Sequence, residues 1–197
     1  MWNQRYNQPE YVYGTQPNDF LVSVAASIPR GKLLSLGEGE GRNAVYLASL
    51  GYEVTAVDSS EVGLEKARRL AAEKGVNIST ITADLGDFQI QPNSWDAIVS
   101  IFCHVTSAIR VPLHQAVVCG LKPGGVFMLE AFTPRQLQMG TGGPASLDML
   151  MTLASLRQEL AGLRFVQAIE LDRNVIEGKF HTGQAAVVQV LGVKEAV

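Results

Sequence analysis

Leu33-Leu34-Ser35-Leu36-Gly37-Glu38-Gly39-Glu40-Gly41-Arg42-Asn43 is an apolar strand running into a glycine loop and then into a helix, Asn43 to Leu50, closed by Gly51. Glycines at alternate positions let the backbone turn tightly and let a ligand touch main-chain atoms that any Cβ would screen. The helix starting near Arg42 presents free N–H groups. After the next strand, Val54-Thr55-Ala56-Val57-Asp58 puts a carboxylate 21 positions beyond Gly37, the distance at which an acid can accept both hydroxyls of a ribose. Strand, loop, helix, strand and acid in that order point to a nucleotide-type ligand.

Outward from this stretch, short runs rich in Val, Ile and Leu alternate with amphipathic ones, the pattern of βα units that build a mainly parallel sheet. Strands are expected over Leu33–Leu36, Glu53–Val57, Ile78–Thr82, Asp96–Phe102, Gly125–Phe132, Phe165–Leu171 and Ala185–Leu191. Glu61–Lys74 reads as a helix closed by Gly75, with Val62, Ala67, Leu70 and Ala71 on one side, and Ser146–Leu160 as another with Ser146 as N-cap. The last two strands are joined by Asp172–Gln184, which leaves no room for a crossover helix, so they pair as an antiparallel hairpin. The fold class is α/β, a Rossmann-like doubly wound sheet of seven strands, mostly parallel, in a single domain over residues 1–197. In open α/β sheets ligands sit outside the carboxyl ends of the parallel strands. The stretches 133–145 and 173–183 leave such ends and are expected to overhang one cleft.

Composition narrows the partners. Hydrophobic residues make up 47% of the 197-residue chain and charged residues 18%, enough apolar side chain for one large core. A net charge of −3 and a pI near 5.6 are the wrong sign for a protein that lives on phosphate backbones or anionic lipid, so nucleic acid and membrane are not expected partners. Cys103 and Cys119 form at most one bridge and read as reduced thiols. Met1–Tyr6 lacks a basic start followed by an apolar run, and the stretch 97–109 is too short to span a bilayer. A cytoplasmic protein acting on a small molecule is expected.

No Lys follows the glycines, which rules out a phosphate-cradling P-loop. A dinucleotide loop expects G-x-G-x-x-G. From Gly37 the last position is Arg42 and from Gly39 it is Ala44, so an NAD-dependent oxidoreductase stays as an alternative. Glu38 and Glu40 repel a pyrophosphate, whereas a ligand with a sulfonium and an ammonium tolerates them. Here the chain resembles the class I S-adenosylmethionine-dependent methyltransferases. Gly37-x-Gly39-x-Gly41 is similar to their first motif, Asp58 to their ribose-binding acid, Ala83-Asp84-Leu85 to their adenine-side motif, Trp95-Asp96-Ala97-Ile98 to the start of their fourth strand, and Leu121-Lys122-Pro123-Gly124-Gly125-Val126-Phe127 to the turn into their fifth. One departure is Ser35, where the family usually has Asp. The opening Tyr11-Val12-Tyr13-Gly14-Thr15-Gln16-Pro17-Asn18 resembles the small tellurite-resistance-type and thiol methyltransferases, which implies that residues 1–17 fold over the cofactor.

The resemblance implies that Gly37, Gly39, Gly41 and Arg42 hold the methionine end of the cofactor, Asp58 with Ser59 the ribose, and Asp84 and Leu85 the adenine, over a floor of Ser100 or Ile101. A ring of Tyr11 or Tyr13 against the sulfonium would add about 1 kcal/mol. Methyl transfer from a sulfonium is an in-line displacement that needs donor and acceptor held in contact and little acid–base apparatus. Candidate groups for it are His104 after the fourth strand, and Arg173 and His181 with Glu177 between them in the last connection. Glu130, a carboxylate inside an apolar strand, must be paired or functional, and Arg135 is its candidate partner or a substrate contact. Cys103 reads as a buried thiol, His114 as a polar helix position without a role, and the three scattered histidines as no metal site. The expected function is methyl transfer to a small soft or anionic acceptor, a thiol or a tellurium or selenium species. A protein that binds S-adenosylmethionine without catalysis is the other alternative.

Overall fold

The structure, a computed structural model, describes residues 1–178 and 180–195; position 179 of the stretch 173–183, with 196 and 197, lies outside the described residues. Seven strands, β1 (Lys32–Leu36), β2 (Glu53–Asp58), β3 (Ser79–Thr82), β4 (Trp95–Ile101), β5 (Leu121–Phe132), β6 (Leu163–Glu177) and β7 (His181–Lys194), form one sheet in the order β3-β2-β1-β4-β5-β7-β6. The first five are parallel to one another, and β7 runs antiparallel between β5 and β6. The helices are α1 (Trp2–Tyr6), α2 (Asp19–Val24), α3 (Arg42–Ser49), α4 (Glu61–Glu73), α5 (Ser107–Gly120) and α6 (Leu153–Glu159). The α/β class and the antiparallel end agree with the sequence reading.

Strand alternation sends side chains to two cores. Leu33, Ala97, Val99, Val126 and Met128 pack with Phe20, Leu21, Leu47 and Leu64 from α2, α3 and α4. Leu34, Leu36, Ile98, Phe127 and Leu129 pack with Leu113, Val117, Leu156 and Leu160 from α5 and α6 on the other face. Each fully buried Leu or Phe contributes about 1.5–3 kcal/mol. No helix among the described residues is long and apolar enough to cross a membrane.

Three expectations are corrected. Ser146 does not cap a helix to Leu160. Residues 147–149 make one 3₁₀ turn, and α6 starts after Thr152, which closes a capping box with Ser155. The intervening segment is pinned in extended form because Met151 N donates to Phe132 O at 3.0 Å. Nor is 173–183 a loop: β6 continues to Glu177 and β7 begins at His181. The inward positions Arg173 and Glu177 are charged but paired, so the strand continues through them. His114 is buried and meets Glu159 at 2.7 Å, and Arg110 of the same helix also grips that carboxylate. The histidine therefore joins α5 to α6.

The turn into α3 depends on Gly41, at φ 94°, where a Cβ would stand 2.5 Å from the Ala67 Cβ and 2.7 Å from its Cα. Gly41→Ala is expected to cost about 2–5 kcal/mol, the sum of left-handed strain and overpacking, and to lower the melting temperature by roughly 5–15 °C. Gly75→Ala is the control: φ is 68° but nothing lies within 4 Å of the added carbon, so only the strain of about 1–2 kcal/mol should appear. Equal losses in thermal melts would refute the packing role.

Candidate functional site

The three alternate glycines of the loop all have positive φ, and a different neighbour leans on each: the Cys103 thiol on Gly37, the Tyr6 hydroxyl on Gly39 and Ala67 on Gly41. Between them Glu38 folds back. Its Oε1 accepts from the amides of Asn43 at 3.1 Å and Ala44 at 2.9 Å, and its Oε2 from the Ser35 hydroxyl. A buried carboxylate thus caps α3 and fills the amides that a dinucleotide pyrophosphate would seek. Burial pushes the Glu38 carboxyl above its usual range, while the Ser35 hydroxyl and the two amides pull it back. Ser35, the departure from the family pattern, serves here as a donor to that cap.

At the end of β2, Asp58 is buried, with Oδ2 accepting from Gly39 N and Oδ1 from Ser60 N, both at 2.8 Å. Burial raises its pKa against the pull of the Ser60, Gly39 and Ser59 amides. Ser59 beside it is exposed. After β3, exposed Asp84 accepts from Gly86 N at 2.8 Å to close a turn, and Leu85 enters the core under it. Ser100, buried near the end of β4, hydrogen-bonds Cys103. Burial first, and the negative charge of Asp58 second, push the Cys103 thiol up to about 12, so it is protonated at neutral pH and no nucleophile.

Residues 1–17 lie over this loop as a strap. Lys66 of α4 donates from Nζ to the carbonyls of Tyr6, Gln8 and Glu10 and pairs with Glu40 Oε1 at 2.5 Å. The other Glu40 oxygen accepts from Val12 N at 2.8 Å and Tyr13 N at 3.2 Å. Tyr11, expected at the cofactor, instead turns outward: its hydroxyl donates to Lys66 O and its ring packs with Val45, Leu70 and Ala71. Tyr6 holds the inner position. The tyrosine nearer the loop went unread because it lies in a separate short helix.

On the β4–β5 side the expected catalytic groups divide. His104 is spent on structure: Nδ1 donates to Met149 O at 2.9 Å and Nε2 accepts from Phe132 N at 3.3 Å. Glu130 has no exposed surface and is saturated by Asn18, Gln189 and a bidentate Arg173. Arg173 is therefore committed, and Arg135 pairs with Asp172 at the exposed rim rather than with Glu130. Arg42 does not lie along the glycine loop. Its Nη2 meets Glu177 at 2.6 Å, and its Nη1 is buried without a partner. His181 stands among Tyr13, Phe102 and Phe132, at 4.6, 5.1 and 5.2 Å between ring centres, and its Nδ1 is also buried and unpartnered. Phe102 reaches this wall through a left-handed backbone, φ 49°, that a bulky residue rarely adopts. Among the described residues no group of three or more His, Cys, Asp or Glu side chains gathers to hold a metal ion.

Comparison with known proteins bears on the fold that carries this site. Residues 33–125 match the model of a methyltransferase domain. The probable S-adenosyl-L-methionine-dependent methyltransferase TehB of Haemophilus influenzae is 40% identical over 80 residues, 41% of this chain and 28% of that protein. The matched part thus spans less than a third of that relative. The crystal structure of TehB from Haemophilus influenzae superposes with a TM-score of 0.76 at 22% identity, over 98% of this chain and 66% of that one. The structure reported for the conversion of a disulfide bond into a thioacetal group during echinomycin biosynthesis gives 0.79 at 19% identity, over 98% and 88%.

The two buried imidazoles set an acid limit. Burial lowers His104 from 6.5 to about 4 and, with help from Arg42, lowers His181 to about 3. The unfolded chain binds their protons near 6.5 and the folded one refuses them. The stability they contribute is therefore intact above that pH and is lost as pH falls toward about 4 and about 3. The unfolding free energy from urea melts between pH 7 and 4.5 should fall by up to about 1.4 kcal/mol per pH unit from each ring. His181→Phe should remove one ring's share, and an unchanged slope would refute it.

Proposed function

We propose, from the premise that residues 33–125 belong to the methyltransferase domain family and that the chain has the class I S-adenosylmethionine-dependent methyltransferase fold, that it transfers a methyl group from S-adenosylmethionine to a small acceptor. The acceptor is soft or anionic, a thiol or a tellurium or selenium species. That finer choice rests on the likeness of Tyr11–Asn18 to tellurite-resistance-type and thiol methyltransferases.

The observation that carries the cofactor reading is the pair of acids at the glycine loop. Glu38 takes the first free amides of α3, so a pyrophosphate finds neither donors nor a favourable charge, which weighs against NAD. Asp58, held by two amides at the mouth of the same loop, keeps lone pairs for a pair of ribose hydroxyls. When bound, the cofactor supplies a methyl group on a cationic sulfur, activated toward in-line attack. Gly37, Gly39 and Gly41 shape its seat, Asp58 and Ser59 orient the ribose, Asp84 and Leu85 border the adenine, and Ser100 lies in the floor. Tyr6 joins this set. The strap clasped by Glu40 and Lys66 covers the cleft and excludes water.

S-adenosylhomocysteine at 100 times its dissociation constant should stabilise the protein by about 2.7 kcal/mol, a melting shift of several degrees, whereas NADH should give none. A shift with NADH alone would overturn the cofactor reading. Asp58→Ala should lose this shift. His181→Ala should keep it and lose turnover across thiols and metalloid oxyanions, and equal loss of binding in both variants would refute the division. Lys66→Met should weaken S-adenosylhomocysteine about tenfold and expose residues 5–13 to proteolysis, because it leaves Glu40 buried without its cation.

A further inference from the structure

The two residues of the cleft that carry an orphaned nitrogen, Arg42 and His181, both approach one carboxylate oxygen. Glu177 Oε2 is 2.6 Å from Arg42 Nη2 and 4.0 Å from His181 Nδ1. The second guanidinium nitrogen, Arg42 Nη1, and His181 Nδ1 are both without a partner. The Arg42 side chain is 8% exposed and cannot turn to water, and His181 is closed in by Tyr13, Phe102 and Phe132. A buried donor left unmet costs about 1–3 kcal/mol, more when charged, and a fold tolerates two side by side when a ligand meets them. The rest of the cluster is satisfied: Glu130 and Glu177 share Asn18, and Arg173 is held by Glu130. Among the described residues, Arg42 Nη1 and His181 Nδ1 are the buried side-chain nitrogens of this cluster without a partner.

We propose that Arg42 and His181 together hold the methyl acceptor as an anion, Arg42 Nη1–H and His181 Nδ1–H both donating to one ionised atom of it. This rests on the methyl-transfer reading above and deepens it by naming the state in which the acceptor binds. Acceptors of the right class lose their proton before they enter, such as thiolates, selenolates and oxyanions, while amines and alcohols do not qualify. His181 is too weak a base to take a proton at neutral pH, since burial and Arg42 hold it near 3. In the transfer the acceptor lone pair forms the new bond to the methyl carbon, and the carbon–sulfur bond electrons return to sulfur. No proton moves on the protein. Arg42 becomes an acceptor contact rather than a clamp on the methionine end.

The test uses aryl and alkyl thiols of graded acidity with the full chain. The pH at which kcat/KM rises should follow the pKa of each thiol and not a group of the protein. Arg42→Lys, which keeps the charge beside Glu177, and His181→Phe, which keeps the ring in its box, should each lower kcat/KM about ten- to a hundredfold. S-adenosylhomocysteine affinity should change less than about twofold in both. An enzyme-set pH profile common to all thiols would overturn the proposal. So would both variants erasing the preference for S-adenosylhomocysteine over its decarboxylated analogue, because the pair would then belong to the cofactor's carboxylate. Binding is read apart from turnover by the His181 imidazole ¹⁵N signals, assigned against His181→Phe. A response to the ionised thiol alone, without methylation of any acceptor, would uphold the anion pair and sink the methyl-transfer reading. No response to either ionisation state would overturn the pair.

Discussion

Four hydrogen bonds converge on the Glu130 carboxylate, from Asn18, Gln189 and two nitrogens of Arg173, at a point with no exposed surface. An unpaired charge at that depth would cost several kcal/mol, so the surrounding elements have to deliver their partners together. Asn18 comes from the N-cap of α2, Arg173 from β6 and Gln189 from β7. The same Asn18 amide reaches Glu177 at 2.7 Å, and Glu177 reaches Arg42 at the head of α3. The C-terminal hairpin is thereby locked to the glycine-loop helix, and its tip delivers His181 onto Phe102 and Phe132. Position at one wall of the cleft follows from electrostatic necessity at its base.

The strap is governed by the same constraint on the opposite wall. Lys66 and Glu40 are both buried, and between them they meet three carbonyls and two amides of residues 6–13. A segment with little regular structure thus has its backbone groups satisfied by one ion pair. Arg5 bonds the Tyr13 hydroxyl within the strap at 2.9 Å and lies over the Phe180 ring of the hairpin, 5.3 Å from its centre. Cofactor wall, strap and hairpin are three separately built parts that meet over Gly39 and His181.

What was legible in the sequence was what is local. Gly37, Gly39, Gly41 and Asp58 announce themselves because loop, helix and acid follow one another along the chain, and the parallel strands because short runs rich in Val, Ile and Leu mark them. The hairpin arms were cut short because Arg173 and Glu177 face inward as charges, and an alternation of buried and exposed positions is invisible when the buried ones are ionic. His104 looked free because its partners, Met149 and Phe132, are 45 and 28 positions away. Adjacency alone puts Arg42 on the glycine loop, and only the fold brings Glu177 from 135 positions off to draw it aside. Ser146 has the local signature of a cap, and the pull of Phe132 on Met151 that overrides it is a tertiary hydrogen bond with no local sign.

The electrostatics of the cleft suit a reaction that cancels charge. Cys103 and the two histidines near it are held neutral at physiological pH, at about 12, about 4 and about 3. Asp58 stands at one end, while the uncommitted donor of Arg42 stands at the other. In the proposed reaction a sulfonium is favoured near the first, and the unpartnered Arg42 Nη1–H donates to the anion near the second. As they combine, both charges vanish, and a transition state with less charge than its reactants suffers least from the loss of water. The aromatic wall of Tyr13, Phe102 and Phe132 around His181 supplies that boundary. On the proposed anionic acceptor, a general base at this point would add a buried charge just as the reaction removes two, and a neutral His181 avoids that cost.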